Sequence, residues 1–410
     1  CPENRCAYRN RADYPYTRQG GVDGQPINQG FDGRDFSKLQ RPDWAYTPYI
    51  PAGEENAKVP AWLNDPIRYH NRGESTFAGE SSLDGDFAGL DDLLTEDPVV
   101  VQGMIDIFGG WIEKYGIDGF RIDTARHVNP EFWQAFVPAM LERARANGIP
   151  NFHIFGEVYD HDPAVTARFT HVDGYPAVLD FPFQKAATDV ASGAVGTDAL
   201  ARIFDADPIY KNGADTAAIL PTFLGNHDMG RVGYFVQKAA PESSDAEQLA
   251  RVKLAHALMF FGRGVPTLYY GDEQGFAGPG GYGASRQDMW ASQVPAFRDE
   301  TPIGGRQAPY SIQAPLYTAI AEMGRIRQAE PALRRGRQVM RASGDKPGLL
   351  AWSRMGEDGQ EVLVVFNSST APINGQVEVE AASQRWQSVR GDCAAQASAP
   401  ASYAVAVPAL

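Results

Sequence analysis

Three acidic residues stand where short apolar runs end: Asp123 in GFRIDTARHV (119–128), Glu157 in FGEVYD (155–160) and Asp228 in FLGNHDMGR (223–231). Alternate residues of a strand share a face, so Arg121 and Asp123 point one way while Phe120 and Ile122 point the other. A cation beside a carboxylate keeps it ionised at neutral pH, which suits a nucleophile; the plain alternative is a structural salt bridge. Glu157, flanked by apolar Phe155 and Val158, is better suited to keep a proton. One ionised and one protonated carboxyl, about 5–5.5 Å apart, are what retaining glycoside hydrolysis requires, the first attacking the anomeric carbon and the second donating to the leaving oxygen.

These residues need a scaffold that brings distant segments together. The three acids are 34 and 71 residues apart, about one and two strand–helix units. The pattern between them supports such units. Asp97 and Pro98 open a helix in EDPVVVQGMIDIFGGWIEKYG, apolar residues at 101, 104, 105, 108, 111, 112 and 115 keep its period, and Gly116 ends it. GFRID is then followed by a helix over about 131–147, a strand over 152–158, and AVLDFPF (177–183) ahead of a helix over about 184–204. AAILPTFLGNHD (217–228) precedes a helix over about 245–262, and VPTLYY (265–270) precedes one over about 316–329. Such alternation signals a parallel sheet, and in a (β/α)8 barrel the strand ends converge on one active-site face. Residues 1–95 are rich in Gly, Pro, Asp and Asn with scattered aromatics (Trp44, Tyr46, Tyr49, Trp62), and lack strand or long helical pattern. From about 337 the pattern turns to short alternating segments, a small antiparallel β-domain.

The three motifs, in this order and at these spacings, resemble the α-amylase family, glycoside hydrolase family 13. GFRIDTARHV resembles the segment after barrel strand four, implying Asp123 as nucleophile with Arg121 as its partner. FGEVYD resembles the segment after strand five, implying Glu157 as general acid/base. FLGNHD resembles the segment after strand seven, implying Asp228 as a third carboxylate on the sugar hydroxyls and His227 as a substrate donor. GVPTLYYGDEQG (264–275) resembles the strand-eight segment and GLDDL (89–93) the close of the domain inserted after strand three. Where the family has Lys-His after the nucleophile, this chain has Arg126 and His127, implying sugar contact with altered geometry. The resemblance further implies a structural calcium held by Asp92 and the backbone carbonyl of His127, against the alternative of an ordinary loop aspartate. The family's Asp-rich strand-three motif ending in Asn-His has no counterpart.

The expected organisation is therefore an α/β chain: an irregular inserted domain (1–95), the C-terminal part of a (β/α)8 TIM barrel with about strands four to eight (96–336), and a C-terminal antiparallel β-domain (337–410). Five strands cannot close a barrel, so a second polypeptide or a preceding segment is expected to supply the rest. A first residue that is Cys rather than Met points to processing or truncation. The implied activity is retaining hydrolysis of α-1,4-glucosidic bonds in α-glucans. The rivals are a transglycosylase, debranching or oligosaccharide-specific relative, and a non-catalytic glucan-binding module.

Composition sets the surroundings. A net charge of −14 argues against nucleic acid or an anionic membrane and suits a neutral substrate, and no apolar run reaches the length of a membrane span. Of three cysteines, Cys1 and Cys6 could close a small disulfide loop, pointing to a secreted or periplasmic setting, while Cys393 stands apart.

Overall fold

The computed structural model describes residues 5–14, 50–281, 283–305 and 310–410; Cys1 and the aromatics Trp44, Tyr46 and Tyr49 lie outside them. The chain divides into two compact units, Cys1–Tyr159 with Arg168–Val178, and Asp160–Ala167 with Leu179–Leu410.

In the first unit, α1 (Pro98–Tyr115) begins as its sequence dictates: the Asp97 side chain accepts the Val99 N–H and Pro98 occupies the first turn. Gly116, at φ 61°, closes it through its N–H to the Ile112 carbonyl, a left-handed turn that favours glycine. Then follow β1 (Gly119–Ile122), α2 (Pro130–Ala146), β2 (His153–Gly156) and β3 (Ala177–Val178). The strands pair in parallel in the order β1-β2-β3, Gly119 opposite His153 and Phe155 opposite Ala177. A Cβ at Gly119 would lie 2.3 Å from the His153 carbonyl oxygen, so this register needs glycine there. Ile105 and Ile112 of α1 are buried, and Phe108 meets Phe120 and Phe136 edge-on. Trp111 and Tyr115, expected on the same face, are exposed. Adjacent helix positions are about 100° apart, and the buried face, centred on Ile105, Gly109 and Ile112, leaves 111 and 115 well to one side.

Ahead of α1 the described residues hold no helix longer than four residues and no strand, in keeping with the irregular segment expected there. Isolated bridges (Ala7 to Glu74, Tyr69 to Leu93) and ion pairs organise it, among them Arg11 with Asp84 and His70 with Asp92 and Glu96. Cys6 is disulfide-bonded and Cys393 is a free, exposed thiol; the Cys1 end of the expected loop is outside the described residues.

The second unit holds a parallel pair, β4 (Pro221–Thr222) and β5 (Val265–Pro266). Around one core pack α3 (Phe181–Ser192), α4 (Val232–Ala239), α5 (Asp245–Phe261) and α6 (Pro315–Ala329). Strand lengths here are shorter than the sequence suggests. Asp180 accepts the Phe183 N–H and Pro182 sits in the first turn, so α3 starts at Phe181 inside the expected strand over 177–183. Gly193, at φ 77°, ends that helix, and a separate helix, Asp198–Asp205, follows. The expected 217–228 strand keeps only β4, because Ala214–Ala217 is helical ahead of it and the turn behind it closes on itself by pairing Asn226 with Gly230.

The C-terminal strands are β6 (Arg337–Ala342), β7 (Leu349–Met355) and β8 (Glu361–Asn367), antiparallel in that order, and β9 (Ile373–Glu378) paired with β10 (Ser402–Val407). Trp352 of β7 is fully buried and its indole N–H donates to the Phe261 carbonyl at 3.0 Å, so this sheet shares its core with α5. Among the described residues, no helix is long and apolar enough to cross a membrane.

Candidate active site

Parallel pairing of β1 with β2 brings their C-terminal ends side by side. The Glu157 N–H donates to the Ile122 carbonyl at 2.8 Å and the Ala125 N–H to the Glu157 carbonyl at 3.1 Å, locking the two strand ends together. Beyond β1 the chain turns sharply: Thr124 has φ 49°, a left-handed conformation unusual for a β-branched residue. In that turn its N–H donates to Glu157 Oε2 at 3.2 Å. Strained backbone of this kind clusters at working sites.

Arg121 Nη1 lies 3.0 Å from Asp123 Oδ1, confirming the shared face read from the sequence, but Nη2 also lies 3.2 Å from Glu157 Oε2. The arginine therefore spans both carboxyls rather than serving Asp123 alone. What separates the two acids is their surroundings and each other. The Asp123 side chain is 71% exposed and that of Glu157 only 10%. Burial first, and then the hydrogen bond to Asp123, raise Glu157 to about 7, while the same bond holds Asp123 below its ordinary value, with Arg121 adding to the latter effect. Below about pH 7 the pair carries one proton, and the burial of Glu157 places it there.

Arg126 donates from Nη1 to the Tyr159 carbonyl at 2.6 Å, so its first role is to tie the β1 and β2 ends together. The His127 ring has Nδ1 3.0 Å from both the hydroxyl and the carbonyl oxygen of Ser82, and packs edge-on against Phe77 and Phe87. Burial lowers its pKa, and Arg126 adds to the shift, favouring the neutral ring. Ser82 was not singled out in the sequence. Only the fold of the irregular segment brings it beside the turn after β1.

His227 and Asp228 lie in the second unit, in the turn after β4. His227 Nε2 is 3.1 Å from Asp228 Oδ2, and Arg286 Nη2 is 3.5 Å from Oδ1. Both side chains are half-exposed. Arg286, a residue the sequence did not flag, comes from the Gly-rich loop after β5.

Asp92, expected with the His127 carbonyl to hold calcium, has its carboxylate on His70 Nδ1 at 2.7 Å. Burial alone would lower the His70 pKa, but hydrogen bonds to Asp92 and Glu96 hold the imidazolium and raise it to about 10. Calcium takes six to eight oxygens. A carboxylate already compensated by a buried cation does not fit that role. Among the described residues one group has metal-ligating spacing, His70, Asp84 and Glu96, whose ligand atoms lie within 4.8 Å of one another. Arg11 pairs with both acids, so this group reads as an ion-pair network.

A parallel α/β scaffold with a carboxylate pair of opposed protonation at its strand ends is an acid–base site of the α/β class. Residues 32–301 match the family model of the alpha-amylase catalytic domain, and the chain belongs to that family. It is 42% identical over 411 residues to an alpha-amylase of Streptomyces lividans, covering 98% of this chain and 44% of that protein. It is 26% identical over 280 residues to a cyclomaltodextrinase of a Bacillus species, covering 68% of this chain and 44% of that protein. The chain spans less than half the length of these curated relatives. In fold it resembles the crystal structure of an Anoxybacillus alpha-amylase, with a TM-score of 0.67 at 24% identity over 85% of this chain and 70% of that one.

Proposed function

We propose that the chain carries the nucleophile and the proton donor of a retaining α-glucan hydrolase that cleaves α-1,4-glucosidic bonds in starch-like polymers and oligosaccharides. The hydrogen-bonded Asp123–Glu157 pair, one acid low and exposed, the other buried and raised to about 7, is the observation that supports this most strongly. An Asp123 oxygen attacks the anomeric carbon as the C1–O bond to the leaving sugar breaks, and Glu157 gives its proton to that oxygen. Glu157, now ionised, takes a proton from water, whose oxygen attacks C1 and frees Asp123. Arg121, touching both carboxyls, offsets the negative charge that remains on the pair in either half-reaction. In this reading Asp228 and His227 grip sugar hydroxyls, and Arg126 and His127 border the leaving side.

The five parallel strands among the described residues are, in this proposal, strands four to eight of a (β/α)8 barrel. The remaining strands are then supplied by a second polypeptide or by a preceding segment. The Cys6 disulfide favours a secreted or periplasmic setting. A sugar hydroxyl in place of water would give transglycosylation at the same pair. Product analysis on starch, pullulan, cyclodextrin and maltose, with Glu157→Gln as control, tests the proposal. Hydrolysis of none of them, or hydrolysis indifferent to the substitution, would refute it.

A further inference from the structure

Arg231 follows Asp228 by three residues and is fully buried. A buried guanidinium needs both charge and hydrogen-bond partners, and this one draws them from two other segments of the second unit. Nε donates to Gln287 Oε1 at 2.7 Å, and Nη1 donates to the Tyr270 carbonyl at 2.6 Å and to Asp272 Oδ1 at 2.8 Å. The plane lies 4.2 Å from the Tyr269 ring centroid, with the Tyr270 and Phe276 rings at 5.1 and 5.3 Å. Nη2 makes no hydrogen bond among the described residues.

The turn that presents His227 and Asp228 is tied to this knot through its backbone. Asn226 and Gly230 exchange N–H···O bonds at 3.0 and 3.2 Å, and Asn226 Oδ1 accepts the N–H groups of Asp228 and Met229 at 2.9 Å each. The Gly281 N–H donates to the Asp228 carbonyl at 2.8 Å, the Ser285 hydroxyl to the His227 carbonyl at 2.9 Å, and the Arg231 N–H to the Gly278 carbonyl at 3.1 Å. A Cβ at Gly225 would lie 2.4 Å from the Gly230 carbonyl oxygen, and one at Gly280 2.3 Å from that of Met229. The turn is thus a closed ring with little freedom of its own, and it moves as a body with residue 231. The Asp228 carboxylate itself has only half-exposed neighbours, His227 and Arg286.

We propose that Arg231 is a positioning residue: its guanidinium, riveted to the segment after β5 and to Gln287, sets where the Asp228 carboxylate stands for the sugar. This rests on the functional reading above, in which Asp228 binds glucan hydroxyls. Lysine keeps the charge but cannot reach three acceptors in a planar fork, so Arg231→Lys loosens the turn without leaving Asp272 unpaired.

The test uses the full chain carrying Glu157→Gln, with maltohexaose affinity read by calorimetry and folding by thermal midpoint. Adding Arg231→Lys is expected to weaken binding about five- to tenfold, and adding Asp228→Ala about tenfold or more; together they should stay within about twofold of Asp228→Ala alone, since both act through one carboxylate. Affinity unchanged by Arg231→Lys, whatever the midpoint does, overturns the proposal. So does an additive loss in the doubly substituted chain, because a merely structural role would weaken binding equally in either background. Should the lysine variant fail to fold, Gln287→Ala, which removes only the Nε partner, carries the same comparison with an expected loss of about two- to threefold. A Glu157→Gln parent that binds no maltohexaose overturns the functional reading itself, an outcome visible before any change at 231.

Discussion

Of the arginines that lie between two carboxylates, Arg121 and Arg263 differ most plainly in what is left over. At the ends of β1 and β2, Arg121 touches Asp123 and Glu157, yet the Asp123 side chain is 71% exposed and the two acids hydrogen-bond to each other. In the second unit, Arg263 joins Asp180 and Asp207, and all three are buried. Nε of that arginine bonds both Asp207 oxygens at 2.9 and 3.0 Å, while Asp180 also caps α3. The buried triad has its acceptors committed to folding. The open pair keeps an ionised oxygen facing outward and a proton ready to move. The same residue types make a rivet in one place and an acid–base couple in the other, and exposure decides which.

Removing a member from each site should separate the two roles. Asp123→Ala is expected to lower kcat on starch by about 10⁴-fold or more with the melting temperature nearly unchanged. Glu157→Gln should lower starch hydrolysis by about 10²–10⁴-fold. It should slow α-maltosyl fluoride, whose leaving group needs no proton, far less. Arg263→Met should do the reverse, removing about 3–5 kcal/mol of stability by chemical denaturation while the folded fraction keeps its kcat. An Arg263 variant that folds normally but loses turnover would erase the contrast.

The pH profile sharpens it. In the proposed reaction Glu157 must be protonated to donate, and with its pKa raised to about 7 the competent form is present below that pH and lost as pH rises through it. Asp123, held low, stays ionised across the same window. Therefore kcat/KM on starch should fall about tenfold per unit above pH 7, and this basic limb should vanish in Glu157→Gln. The smallest expected effect is that of EDTA: with Asp92 engaged by His70, chelation should leave the thermal midpoint unchanged.

Much of this was legible in the chain. The caps Asp97–Pro98 and Gly116, the helix periods, and the shared face of Arg121 and Asp123 are local consequences of sequence, and the structure follows them. Opposed protonation of Asp123 and Glu157 was also readable, with Arg121 beside Asp123 as one of its causes; the larger causes were not. Burial of Glu157 and the bond between the acids depend on β1 pairing with β2. Strand lengths in 177–183 and 217–228 were overread because apolar runs do not show where Asp180 caps a helix or where the Ala214–Ala217 helix takes up the start of a run. His70 on Asp92, Ser82 on His127 and the Arg231 knot join residues far apart in the chain, and no local pattern marks them.

Trapping the covalent intermediate tests the central claim most directly. Incubation with a fluorinated α-glucosyl fluoride that slows the second half-reaction, then peptide mass spectrometry, should find the sugar on Asp123 in the peptide spanning β1. A chain that turns over glucan yet carries the label on another residue, or releases products of inverted anomeric configuration, would contradict the account.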